Sequence, residues 1–265
     1  MFNNIYKNKK VLITGHTGFK GSWLTTWLLN LGAEIIGISK DIPTIPAMFQ
    51  VLELEKKIQH HSIDIRNFDA LSKVINQEKP DFIFHLAAQA IVSTSYLEPL
   101  ETISSNVIGT THVLESLRLS NHQCSVIIIT SDKAYDNVEQ IWGYKENDTM
   151  GGRDVYSGSK GAAELIIKSY YHSFFKLEKS NVRLSIGRAG NVIGGGDWAK
   201  DRIIVDTIIA WSKGSKVEIR SPKATRPWQH VLEPLSGYLS LGQQLYSDIN
   251  SVSYTHLTLP TNREV

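Results

Sequence analysis

Residues 10–39 read KVLITGHTGFKGSWLTTWLLNLGAEIIGIS, and the order of their parts decides the fold. Val11–Thr14 is a short apolar run of the kind that forms a buried strand. It passes into Gly15, Gly18 and Gly21, spaced GxxGxxG, and then into a segment where Trp23, Leu24, Trp27, Leu28 and Leu31 fall at i, i+1, i+4, i+5 and i+8. At 3.6 residues per turn these positions make one apolar stripe on a helix, which Gly32 ends. A second apolar run, Glu34–Ser39, follows. Strand, glycine loop, helix and strand in this order place a dinucleotide pyrophosphate on a helix N-terminus. Gly15 permits the tight turn, Gly18 lets the backbone approach the anion, and Gly21 lets helix and strand pack closely.

Working outward, strand-like runs recur as HSIDI from 61, FIFHLA from 82, VIIIT from 126 and VRLSIG from 182, with helical patterns between them. Continuous apolar strands alternating with amphipathic helices predict an α/β fold, a Rossmann-like doubly wound parallel sheet covered on both faces, with ligands at the carboxyl ends of its strands. The expected division is a dinucleotide-binding domain over 1–180, with 181–191 returning a strand to it, and a smaller, truncated C-terminal substrate lobe over 192–250. Residues 251–265, SVSYTHLTLPTNREV, continue no periodicity and resemble translated sequencing-adaptor read-through, so they are expected to be a non-native tail.

Two positions bear on the cofactor. After the second strand comes ISKD, where Asp41 could reach a ribose 2′-hydroxyl and Lys40 would equally suit a 2′-phosphate; NAD is preferred over NADP on that basis. SIDIR puts Asp64 at the end of the third strand, either to accept a hydrogen bond from an adenine amino group or to cap the next helix.

Composition narrows the partners. The 28 Lys and Arg against 26 Asp and Glu leave a net charge of +2, and no basic run exceeds KNKK at 7–10. That excludes an electrostatic footprint for nucleic acid or an acidic membrane and points to small molecules. The single cysteine, Cys124, rules out an internal disulfide framework and reads as a buried thiol in a reducing compartment. The stretch before Gly15 is too short for a signal peptide or a membrane span, so a cytoplasmic protein is expected, without a metal centre.

In YSGSK, Tyr156 and Lys160 are four apart at the start of a helical pattern and so share one face. Lys160, with a cationic nicotinamide, is expected to lower the Tyr156 phenol from its usual value of about 10 and make it a base for a sugar hydroxyl. Joined to TGHTGFKG, HLAA and SNVIGT, this pair resembles the extended short-chain dehydrogenase/reductase superfamily over residues 8 to 245. The resemblance implies NAD bound by the glycines together with Phe19, Lys20, Asp64, Ile65, Ala87, Tyr156 and Lys160. It implies a nucleotide-diphosphate sugar against the second lobe, contacted by Asn191 and Arg226, with Arg202 as a further contact, and Ser131 bonding the reacting hydroxyl. WQH at 228–230 reads equally as lobe packing, with Trp228 in the core. Ser93 and Thr94 stand where the superfamily usually has arginines.

A simple dehydrogenase or an epimerase needs only Ser131, Tyr156 and Lys160, yet Asp132 and Lys133 lie side by side in IITSDKAY. A sugar-nucleotide 4,6-dehydratase needs both, because after oxidising C4 it must take the C5 proton and expel the C6 hydroxyl as water. Asp132, protonated in a closed apolar site, would supply the acid, and Lys133, its charge weakened by burial, the base. GHTGFKGSWL, TSDKAY, RAGNVIGGGDWAKDR and ATRPWQHVLEPLSGYL resemble the 4,6-dehydratase branch that carries Lys here. That resemblance implies CDP-glucose as substrate, a 4-keto-6-deoxy sugar for bacterial surface polysaccharides as product, and a homodimer through the helices of NVIGTTHVLESL and YSGSKGAAELIIKSYY. Three alternatives stay open: a nucleotide-sugar 4-epimerase or reductase, a non-catalytic NAD-binding fragment, and, for SDK alone, a solvated ion pair in a turn. Relatives continue well past LGQQLY at 241–246, so this chain is expected to be weakly active or inactive.

Overall fold

The computed structural model describes residues 1–176, 180–247 and 254–258. Six parallel strands carry the fold: β1 (Lys10–Thr14), β2 (Glu34–Ser39), β3 (Gln59–Ser62), β4 (Phe82–His85), β5 (Cys124–Ile129) and β6 (Val182–Arg188). Their order is β3-β2-β1-β4-β5-β6, a doubly wound arrangement that reverses direction between β1 and β4 and opens a crevice there at the carboxyl edge. Two short strands, β7 (Asn191–Ile193) and β8 (Trp228–His230), pair in parallel beside the main sheet. A last strand, β9 (Tyr254–Thr258), pairs in parallel with β6. Residues 254–258 of the tail, whose sequence continues no periodicity, form this edge strand, while 251–253 and 259–265 lie outside the described residues.

The period of two along each strand sorts the core into two layers. Leu12, Ile36, Ile83, Val126, Ile128 and Leu184 face the helices Phe68–Glu78, Gly109–Leu119 and Val155–Tyr170, meeting Leu71, Ile75, Val113, Leu117 and Ile167. Val11, Ile13, Phe82, Phe84 and Ile127 face the other way, onto the helices Phe19–Asn30 and Leu232–Ser247 through Leu24, Leu28, Leu235, Leu239 and Leu245. Each fully buried leucine contributes about 1.5–3 kcal/mol. Cys124 is buried in the first layer, which pushes its thiol up.

Four sequence expectations change here. Helix Leu232–Ser247, assigned to the second lobe, covers one face of the main sheet, because its apolar residues at 235, 239 and 245 recur on one side. The second lobe is thereby reduced to the stretch around helix Ile203–Ser212, with Val192 and Val231 packed against the second layer. The first helix buries Gly21, Leu24, Thr25 and Leu28, whereas Trp23 and Trp27 are half-buried at its rim and Leu31 falls just past its end. The third strand runs two residues earlier than HSIDI, so Asp64 follows it in a loop, and Asn67, accepting from the Ala70 N–H at 3.1 Å, caps the next helix. Trp228, offered as core, is 45% exposed on β8.

Candidate active site

The crevice is a cavity of 850 Å³ running from the glycine loop to the second lobe. Its floor is the turn after β1. Gly15 adopts φ +76°, and a Cβ there would stand 2.7 Å from the Ala87 nitrogen, so the loop passes β4 at a separation only glycine permits. At Gly21 a Cβ would meet the Gly15 carbonyl oxygen at 2.1 Å, which is how the helix start comes so close to the strand. No side chain caps that helix, and its first residues, Gly18 to Gly21, line the cavity, the arrangement of an anion site. Lys20 lines the same wall; burial, aided by the nearby cations Arg202 and Lys160, pushes its ammonium down to about 8.

Two histidines stiffen the loop and the strand beside it. His16 bonds His60 at 2.8 Å and Ser39 at 3.1 Å, and His85 bonds Thr14 at 2.6 Å and Thr110 at 3.0 Å. Burial lowers His16 to about 4 and His85 to about 3. Because both folded values lie below the unfolded value near 6.5, their contribution is complete above pH 6.5 and is lost as pH falls through that value toward 4. At pH 5 each residue should therefore cost about 2 kcal/mol of stability relative to pH 7. Urea midpoints at the two pH values test this: His85→Gln should flatten the dependence, and an unchanged slope would remove His85 as its cause.

At the far end of the cavity, Asp64 accepts from the Arg66 side chain at 3.0 and 3.1 Å and from its N–H at 2.9 Å, and Arg66 holds its carboxyl below the usual range. Arg66 also pairs with Glu101, whose other oxygen takes Lys40 at 2.9 Å. The sequence reading missed Arg66 and Glu101; their long spacing in the chain gives no local signal. Lys40, weighed above as a partner for a 2′-phosphate, is thereby paired to a carboxylate. Ile65 and Ala87 line the cavity, and Ser93, in the place of an arginine, donates to Asp201 at 2.6 Å across it.

The reactive groups gather where β5 and β6 end. Ser131 caps a short turn, accepting from the Lys133 N–H at 3.3 Å and donating to Asp132 Oδ1 at 3.0 Å. Lys133 Nζ stands 3.9 Å from Asp132 Oδ1. Asp132 and Lys133 keep 17% and 32% exposure, so the closed apolar site expected around them is not formed by the described residues. Opposite the turn, Asp154 caps helix Val155–Tyr170 by accepting from the Ser157 N–H at 2.9 Å, and the helix presents Tyr156 and Lys160 into the cavity.

Lys160 Nζ is 6.0 Å from the Tyr156 ring centroid. The expected lowering of Tyr156 is reversed: burial pushes the phenol up to about 12, opposed by its hydrogen bond to Ser131. Burial likewise pushes Lys160 down to about 8, opposed by Glu164. Desolvation penalises the phenolate and the ammonium alike, and it outweighs their mutual attraction at this separation.

The second-lobe residues divide. Arg202 lines the cavity and pairs with Asp197 at 2.5 Å. Asn191 leaves its buried Oδ1 without a partner and does not line the cavity. Arg226 is exposed, donates to the neighbouring Thr225 carbonyl at 2.7 Å and does not line the cavity.

The family model described as GDP-mannose 4,6 dehydratase matches residues 12–256. The CDP-glucose 4,6-dehydratase of Salmonella typhimurium is 50% identical over 248 residues, covering 92% of this chain and 69% of that protein. The CDP-paratose 2-epimerase of Salmonella typhi is 30% identical over 182 residues, 62% of this chain and 54% of its own length. Among solved structures, a dTDP-glucose 4,6-dehydratase from Streptomyces venezuelae with NAD bound superposes with a TM-score of 0.79 at 20% identity, over 96% of this chain and 78% of that one, a likeness of fold. On the family match and the Salmonella relative together, the chain belongs to the GDP-mannose 4,6 dehydratase family.

Proposed function

We propose that this chain is built for the NAD-dependent dehydration of CDP-glucose to CDP-4-keto-6-deoxy-glucose. One observation carries the reading: an adjacent carboxylate and ammonium, Asp132 and Lys133, stand on the same turn as Ser131, beside buried Tyr156 and Lys160, in a chain 50% identical to a CDP-glucose 4,6-dehydratase. NAD fits the site, because the uncapped helix start and the glycine turn offer N–H donors to a diphosphate, while Lys40, the cation that follows the second strand, is paired with Glu101. When bound, NAD supplies the oxidant for C4 and the reductant that later acts at C6.

The chain's own groups handle the protons. Ser131 bonds the C4 hydroxyl and Tyr156 takes its proton, while Lys160 favours the phenolate from the same helix face. Lys133 then takes the C5 proton and Asp132 gives one to the departing C6 hydroxyl, so that water leaves; Lys133 would return its proton to C5 as C6 is reduced, which would leave no net change in the cofactor. Arg202, on the cavity wall, would hold the sugar nucleotide, and Asn191 and Arg226, which do not line the cavity, would have to turn inward to join it. The reading extends to a cytoplasmic homodimer; Leu165 and Phe174 stay exposed along the helix expected to meet its copy.

Purified chain mixed with NAD and CDP-glucose should yield the alkaline chromophore of a 4-keto-6-deoxy sugar with no net rise in reduced nicotinamide. Reduced nicotinamide in step with a stable 4-keto product would instead favour a simple dehydrogenase. Binding of NAD with no product would favour the non-catalytic reading.

A further inference from the structure

Behind the reactive groups lies a buried charge network that the proposed chemistry does not use. Arg188 and Glu164 are 1% and 3% exposed and form a bidentate ion pair, with Arg188 Nε donating to the two carboxylate oxygens at 2.8 and 3.0 Å. Glu164 stands one turn beyond Lys160 on the helix that carries Tyr156, and its Oε1 accepts from the Thr130 hydroxyl at 2.6 Å, next to Ser131. Arg188 Nη1 donates to the Tyr135 hydroxyl at 2.8 Å, and its guanidinium lies 4.8 Å from that ring's centroid. Tyr135, 2% exposed, closes the turn that holds Asp132 and Lys133, and it stacks on Tyr144 at 5.0 Å.

The turn is thus gripped at both ends. Thr130 is tied to the helix through Glu164, and Tyr135 is tied to the same carboxylate through Arg188. A fully desolvated pair with several hydrogen bonds holds one geometry rather than many, since every alternative strands a buried charge. The geometry points to Glu164, Arg188 and Tyr135 as positioning residues that set the Asp132–Lys133 turn in register against the helix presenting Tyr156 and Lys160. The consequence for catalysis rests on the dehydratase reading, and it is specific: the turn serves proton removal and water loss, whereas the helix serves oxidation at C4. Loosening the turn alone should separate the two.

Tyr135→Phe removes only the hydroxyl that Arg188 holds and keeps the stacked ring. Rapid mixing with NAD and CDP-glucose should show C4 oxidation within about twofold of the parent and product formation about 10-fold slower, with reduced nicotinamide accumulating between them. Amide hydrogen exchange should at the same time rise across residues 131–136 and stay unchanged across 155–170. Parallel slowing of both steps, or no slowing of either, would overturn the positioning role. A parent chain that makes no product would count against the dehydratase reading alone; the exchange arm then decides the brace, and unchanged exchange at 131–136 in the variant would overturn it.

Discussion

Lys133→Ala should stop product formation while leaving oxidation at C4 in place, so that reduced nicotinamide builds up and stays. Lys133 is 32% exposed and its ammonium stands 3.9 Å from Asp132 Oδ1, so its loss should leave stability within about 0.5 kcal/mol. The Tyr156, Lys160 and Ser131 contacts are made without it. A missing general base typically costs about 10²–10⁴-fold in rate. The measurement is stopped-flow nicotinamide absorbance alongside product analysis. A variant that still forms product at near-parent rates would assign the C5 proton to another group and return SDK to an ordinary ion pair in a turn.

Arg188→Ala should lower stability by about 3–5 kcal/mol, because it leaves the Glu164 carboxylate buried and unpaired beneath the sheet's edge. Replacing both partners, Arg188→Met with Glu164→Leu, should recover most of that loss, since the pair's attraction mainly offsets its own desolvation. Urea unfolding with an unchanged m-value would read both. If the single variant lost less than about 1 kcal/mol, the ion pair would be open to solvent, contrary to its burial.

Much of the fold was legible because two periods, 2 and 3.6, act over short stretches. Val11 and Ile13 alternate as strands must, and Gly21 follows from its local contact with Gly15, whereas the contact of Gly15 with Ala87 comes from a distant part of the chain. Helix Leu232–Ser247 was misplaced because an amphipathic pattern says that a helix buries one face and leaves open which sheet it covers. Asp64 illustrates the other limit. Its partner Arg66 lies two residues away, but the Glu101 and Lys40 that complete the cluster come from distant elements. Burial of Tyr156 and Lys160 was also invisible from their spacing, and it is burial, rather than proximity, that sets the direction of both shifts.

Besides the side-chain ties at its two ends, the turn from Ser131 to Tyr135 is fastened through its main chain. The Asp132 N–H donates to the Ala189 carbonyl at 3.2 Å, the Tyr135 N–H to the Asp132 carbonyl at 3.2 Å, and the Gly151 N–H to the Ala134 carbonyl at 2.9 Å. None of these bonds depends on which side chains occupy 132 and 133. A lineage carrying this scaffold can therefore exchange those two residues, and with them the reaction, without relearning how to fold. Chemical diversification is cheap at this one corner, whereas a change at Arg188 or Gly15 is paid in the integrity of the whole molecule.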